Sequence, residues 1–197
     1  YGYRAITYGH FGDGCIHTRI SFDLKTETGI QTYKRFLEDA ADLVVKFGGS
    51  FSGEHGDGQT WGHLLYKMYG HELVQAFREF KRIWDPQNKM NPGKGIDTYG
   101  VDQNIRQREY PKISAGHLHF QFSQDGGDFS RTTERCIGIG KCVAPQGGTM
   151  CPSYRATHDE KHSTRGRAHL LNEMMRGEVV RDGWKSEAVK EALDECL

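Results

Sequence analysis

A glycine-spaced turn between two runs of alternating side chains constrains this chain more than any other feature. Residues 3–24 read YRAITYGHFGDGCIHTRISFDL, with glycine at positions 9, 12 and 14. The segment predicts a strand, a glycine-rich turn and a second strand. Strand side chains repeat every second residue, so the run CIHTRISF places His17 and Arg19 on one face. The turn folds His10 and His17 toward one point.

Helical spacing takes over next. Ile30, Tyr33, Leu37, Ala40, Val44 and Phe47 predict a helix over residues 28–47, ended by Gly48 and Gly49. A loop, GGSFSGEHGDG, follows. Helical stretches around HLLYKMYG and HELVQAFREFKRIWDP come after it, the second stopped by Pro86, and QNKMNPGKG makes a turn-rich end. Residues 96–130 are polar with little periodicity, which predicts an extended linker over a neighbouring surface. STRGRAHLLNEMMRGE and SEAVKEALDECL then read as two helices, the first capped by its Ser/Thr start. The expected class is α+β: a mixed unit over residues 1–95, the linker over 96–130, and a mainly α-helical cysteine module over 131–197.

Composition removes several functions. Lysine plus arginine and aspartate plus glutamate balance at 26 each, so no long-range field gathers nucleic acid or a membrane surface. Nucleic acid is not an expected partner. No apolar run approaches the ~18 residues of a membrane span, and the N-terminus lacks the basic and apolar regions of a signal peptide. The expected location is the cytoplasm, with a peripheral membrane association left open. The chain starts at Tyr1 and closes on EALDECL, an amphipathic helix cut at an apolar position. It reads as an excised fragment, inactive by itself, with its missing groups outside.

Imidazole and carboxylate suit zinc and similar divalent ions, and a site with three protein ligands keeps a position open for substrate. His10, His17 and Glu54 of SGEHG make such a set, with His55 beside them as a proton acceptor. The bland alternative is two turns bearing exposed histidines. A third reading is a zinc hydrolase using the same three ligands and a water. The remaining histidines, His63, His71, His117, His119, His158, His162 and His169, sit among polar neighbours, and His117 with His119 lacks a visible third ligand.

The motifs GHFGDGCIH, GGSFSGEHGDG and FREFKRIWDPQNKMNPGK, in that order, resemble the C-terminal half of FAD-linked 2-hydroxy acid dehydrogenases of the vanillyl-alcohol-oxidase fold. That group spans enzymes for D-lactate, glycolate and D-2-hydroxyglutarate. The resemblance implies a divalent metal, commonly zinc, on His10, His17 and Glu54, and catalytic work by His55 on the substrate hydroxyl. It implies hydride transfer to FAD, bound mainly by a domain preceding this fragment, since no dinucleotide-binding pattern occurs here. Two positions depart from the family wording GHxGDGNxH: Cys15 replaces asparagine, and Arg19 stands where Asn is frequent. Cys15 reads as a small buried residue. Arg19 suits a second substrate carboxylate, favouring a dicarboxylate such as 2-hydroxyglutarate, or else pairs with Asp23.

The five cysteines are an odd number for a disulfide framework. RCIGIGKCVAPQGGTMCPSY has the outline of a ferredoxin-type loop, although Ile139 occupies the middle cysteine position and the gap to Cys151 is long. Structural cysteines or a zinc knuckle fit the spacing equally. The following CPSYRATHDEKHSTRGRAHLL resembles the segment after the first cluster motif in iron–sulfur subunits of the glycolate oxidase and anaerobic glycerol-3-phosphate dehydrogenase type. That resemblance implies Cys136, Cys142, Cys151 and Cys196 as ligands of iron–sulfur clusters of the 4Fe-4S kind. STRGR reads as a capped helix start near the cluster, where Arg165 and Arg167 offset its charge, or else meets a phosphate or an acidic partner surface. The implied electron acceptor is a quinone or an electron-transfer protein, and homo-oligomerisation is left open. A non-catalytic electron-transfer module is the competing class.

Overall fold

The structure, a computed structural model, describes residues 1–107, 116, 118–147 and 151–196. The chain forms two compact units, Tyr1–Glu109 and Tyr110–Leu197. His117, part of the expected linker and the three residues before Cys151 lie outside the described residues.

The first unit opens with the expected hairpin. Strand β1, Ala5–His10, pairs antiparallel with β2, Cys15–Ile20, in the register Tyr8↔His17 and His10↔Cys15. Directly paired side chains share a face, so Ile6, Tyr8 and His10 stand with Arg19, His17 and Cys15. Gly9 is required at the crossing: its φ is +145°, and a Cβ there would lie 2.4 Å from the Cys15 carbonyl oxygen. The ribbon's other face leaves Ile16 exposed.

Helix α1, Glu27–Lys46, is capped by Thr26, whose hydroxyl accepts from the Gly29 amide. Its buried residues include Ile30, Leu37 and Ala41. The apolar stripe therefore passes through Ala41 rather than Ala40, and Phe47, expected on that face, is exposed. Phe22 binds the helix to the segment after β2, meeting Tyr3, Tyr33 and Phe36 as tilted or edge-on ring pairs.

The two helical stretches expected after the GEHGDG loop join as α2, Leu65–Trp84, with a break at Gly70, whose φ of 74° and ψ of 165° are not helical. Leu65 and Val74 are buried, and α2 packs on α1. The helix stops one residue before Asp85-Pro86, as the steric demand of proline requires. Asp85 then holds the turn: its carboxylate pairs with Lys81 and accepts from the amides of Lys89 and Met90.

The segment 96–107 lies against the rest of the first unit. Lys34 pairs with Asp102 at 2.9 Å, Arg78 with Asp97 at 2.7 Å, and Val101 is buried. Its polar residues include the acidic halves of these ion pairs.

The second unit is helical: α3, Phe129–Glu134; α4, Pro152–Thr157; α5, Thr164–Arg176; and α6, Glu187–Asp194. Met174, Met175 and Val189 form its core, with Phe129, Leu170, Leu171, Val180 and Leu193 packed around them. Ser163 caps α5 through the Gly166 amide, and Gly177 ends it in the left-handed conformation. Among the described residues, no helix is long and apolar enough to cross a membrane.

Candidate metal centre and cysteine loop

Three imidazoles converge on one carboxylate in the first unit. His17 Nε2 lies 2.5 Å from Glu54 Oε1, His55 Nε2 lies 3.2 Å from the same oxygen, and His10 Nε2 lies 3.3 Å from Oε2. The hairpin supplies His10 and His17 from one face, diagonally across the ribbon. The loop after α1 supplies Glu54 and His55. That loop approaches the hairpin closely: a Cβ on Gly53 would come within 2.9 Å of Cys15 Sγ. Cys15 thus packs beneath the loop that presents Glu54, consistent with the small-residue reading of its sequence position.

The His17 hydrogen bond, helped by the fields of His10, His17 and His55, holds the Glu54 carboxyl below its usual range against the effect of burial. A carboxylate kept ionised beside imidazole nitrogens is a donor set for zinc or a similar ion. The ligand atoms of His17, Glu54 and His55 all lie within 4.8 Å of one another. His55, expected as the proton acceptor, thus joins the group whose ligand atoms could hold one ion, whereas His10, expected as a ligand, meets Glu54 at 3.3 Å but lies outside that group. A cavity of about 160 Å³ opens here, walled by His17, Glu54, His55, Phe51 and Trp61. Phe51 and Trp61 stack at 5.5 Å. Neither carried a motif signal, because an apolar wall needs only bulk and position.

Arg19 is engaged by an aromatic neighbour. Its Nε donates to the Tyr8 hydroxyl at 3.2 Å, and its guanidinium carbon lies 5.5 Å from the Tyr8 ring centroid. Asp23, the alternative partner, is committed to Thr26 and to the amides of Lys25 and Thr26. Tyr8 in turn stacks on His17, with centroids 4.8 Å apart and planes at 5°.

In the second unit, Cys136 follows α3, Cys142 sits in the tight turn Lys141–Val143, and Cys151 precedes α4 with Pro152 at the first helical position. Gly138 and Gly140 take positive φ between the first two thiols. Cys151 is buried, its Sγ 3.2 Å from the His162 carbonyl. Burial pushes its thiol up, but hydrogen bonds, foremost from the Thr164 hydroxyl, outweigh this and hold it below the ordinary value. Among the described residues, no three thiols share a point fit for a single ion; an iron–sulfur cluster needs no such point, because its irons hold the thiolates apart.

Both arginines expected to offset cluster charge are held by protein partners. Arg165 makes a two-pronged pair with Glu160, at 2.5 and 3.0 Å, while its Nη1 lies 2.9 Å from where a Cβ on Gly140 would be. Arg167 is buried and donates to the carbonyls of Ala192 and His162 and to the Ser153 hydroxyl. It fastens α4, α5 and α6 together, a structural task that the residue type alone does not reveal.

Residues 1–95 match the family model of FAD linked oxidases, C-terminal domain. That segment is therefore similar to an FAD-oxidase C-terminal domain. The chain is 29% identical over 177 residues to a D-2-hydroxyglutarate dehydrogenase of Pseudomonas putida, covering 89% of this chain and 17% of the relative. It is 30% identical over 170 residues to one of Escherichia coli, covering 86% and 16%. A D-lactate dehydrogenase of Archaeoglobus fulgidus is 38% identical over 96 residues, 49% of this chain and 21% of the relative. The chain thus spans about a sixth of the length of the D-2-hydroxyglutarate dehydrogenases, and those alignments continue beyond residue 95 into the cysteine-bearing unit. No solved structure gives a significant match.

Proposed function

We propose that this chain is part of an FAD-dependent D-2-hydroxy acid dehydrogenase whose substrate is D-2-hydroxyglutarate. The observation that carries the reading is the meeting of His10, His17 and His55 on Glu54, on a domain similar to that of such dehydrogenases. His10, His17 and Glu54 hold a divalent metal, zinc by the character of the donors. When bound, that ion supplies Lewis-acid polarisation and the flavin supplies a hydride acceptor. His55, on the exposed side of Glu54, takes the proton of the substrate hydroxyl at its imidazole. Phe51 and Trp61 limit water at the cavity wall. Arg19 directs its guanidinium fork to the distal carboxylate, which supports the dicarboxylate over D-lactate and glycolate.

In the second unit, Cys136, Cys142, Cys151 and Cys196 hold clusters of the 4Fe-4S kind that pass electrons to a quinone or an electron-transfer protein. Support comes from the glycine turns around Cys142, the Cys151-Pro152 helix start and the depressed Cys151 thiol.

The test is flavin reduction in the holoenzyme by D-2-hydroxyglutarate, D-lactate and glycolate in parallel, with iron and sulfide content measured on the same preparation. D-2-hydroxyglutarate is expected to give the highest kcat/KM. No flavin reduction by any 2-hydroxy acid would refute the catalytic reading, and absence of iron and sulfide would refute the cluster reading. Glu54→Ala leaving turnover intact would favour a non-catalytic docking role for the first unit.

A further inference from the structure

We infer that Tyr8 is a second specificity-determining residue, donating its hydroxyl proton to the same distal substrate carboxylate that Arg19 binds. The inference rests on the 2-hydroxy acid reading of the site. Tyr8 sits opposite His17 in the hairpin register, so its ring and the proposed metal ligand occupy one face of the ribbon. Arg19 is two residues further along the same strand face. Two strand residues advance about 6.6 Å, so Arg19 leaves the strand about that far from His17, on the face that carries the cluster. A hydroxyl-bearing carbon held at the cluster then places a carboxylate on the far end of a five-carbon diacid near the pair. A three-carbon monocarboxylate has nothing to put there.

Hydrogen-bond directions supply the rest. Arg19 Nε–H donates to the Tyr8 oxygen, leaving both Nη groups without a partner among the described residues. The tyrosine oxygen is acting as acceptor, and its own O–H likewise has no acceptor among them. One guanidinium fork and one hydroxyl donor, held together by a hydrogen bond and by the Arg19–ring contact, make a three-donor receptor for a carboxylate. The stack on His17 fixes the tyrosine ring plane, so the donor is oriented before substrate arrives.

The holoenzyme and its Tyr8→Phe variant test this by steady-state kinetics on D-2-hydroxyglutarate and D-lactate, and by competitive inhibition with glutarate, which has both carboxylates but no hydroxyl. The Tyr8→Phe substitution keeps the ring stack and removes only the hydroxyl. The KM for D-2-hydroxyglutarate relative to that for D-lactate is expected to rise about tenfold, the worth of one hydrogen bond to a charged group. The inhibition constant of glutarate is expected to rise in parallel. Arg19→Lys, which keeps the charge without the fork, should shift the same two quantities in the same direction. Equal changes for both substrates, or an unchanged glutarate constant, overturn the inference even where wild-type turnover is normal. No flavin reduction by any 2-hydroxy acid in the wild type overturns the underlying reading and this inference with it.

Discussion

At the scale of single residues, the proposed reading gives His10 and His55 different tasks. Each places Nε2 slightly more than 3 Å from a Glu54 oxygen, on opposite members of the carboxylate. If His10 is the ligand and His55 the proton acceptor, the two alanine variants separate. His10→Ala should weaken zinc binding by tenfold or more, read by metal titration against a chromophoric chelator, because a first ligand is lost. His55→Ala should keep the metal and lower kcat by about 10²–10⁴-fold, the usual contribution of a positioned general base. Metal lost from His55→Ala and retained by His10→Ala would exchange the two roles. The sequence disclosed all four polar residues of this cluster, because their spacing in two loops is itself the motif. It did not disclose Tyr8, whose importance lies in the partner opposite it.

At the scale of elements, the end of α2 shows how a helix stop is made durable. Lys81 chiefly, then the amides of Lys89 and Met90, lower the Asp85 carboxyl to about 2 from an ordinary 3.8. A carboxyl whose folded value is depressed contributes stability that is fully present above its unfolded value and is lost as pH falls through the folded one. The difference in Tm between the wild type and Asp85→Asn should therefore be constant from pH 7 down to about 5, shrink between about 4 and 2, and vanish below. Thermal melts followed by circular dichroism at those pH values check this; a difference that persists unchanged at pH 2 would show that the charge is not what holds the turn. Proline position alone predicted where α2 ends, because its steric effect is local. The two helical stretches read on either side of Gly70 are present, and Gly70, with φ 74° and ψ 165°, is the break between them.

The whole molecule is two compact units, each with its own core, and Arg167 tests that division. Its three hydrogen bonds join α4, α5 and α6, so Arg167→Ala should destabilise the second unit by roughly 3 kcal/mol, with two carbonyls and a hydroxyl losing a charged donor. Urea unfolding with limited proteolysis should show early cleavage within the second unit, while zinc affinity at the first stays within twofold. Equal loss in both would contradict independent stability of the units. The ion pairs that hold residues 96–107 are not legible in the sequence. Residues 96–107 lack periodicity, and Asp97 and Asp102 look like linker residues until Arg78 and Lys34 are found beside them.

The sequence by itself determined the hairpin, the capped helices and the identity of the polar residues at the candidate site, because alternation, helical period, capping and proline or glycine stops act over a few neighbouring positions. Tertiary structure decided what those residues meet. It committed Asp23 to the start of α1 and left Arg19 to Tyr8, and it brought His55 as near Glu54 as His10. It also seated Arg167 at the junction of α4, α5 and α6. A side chain's partner depends on which distant elements the core draws together, and local pattern holds no record of that distance.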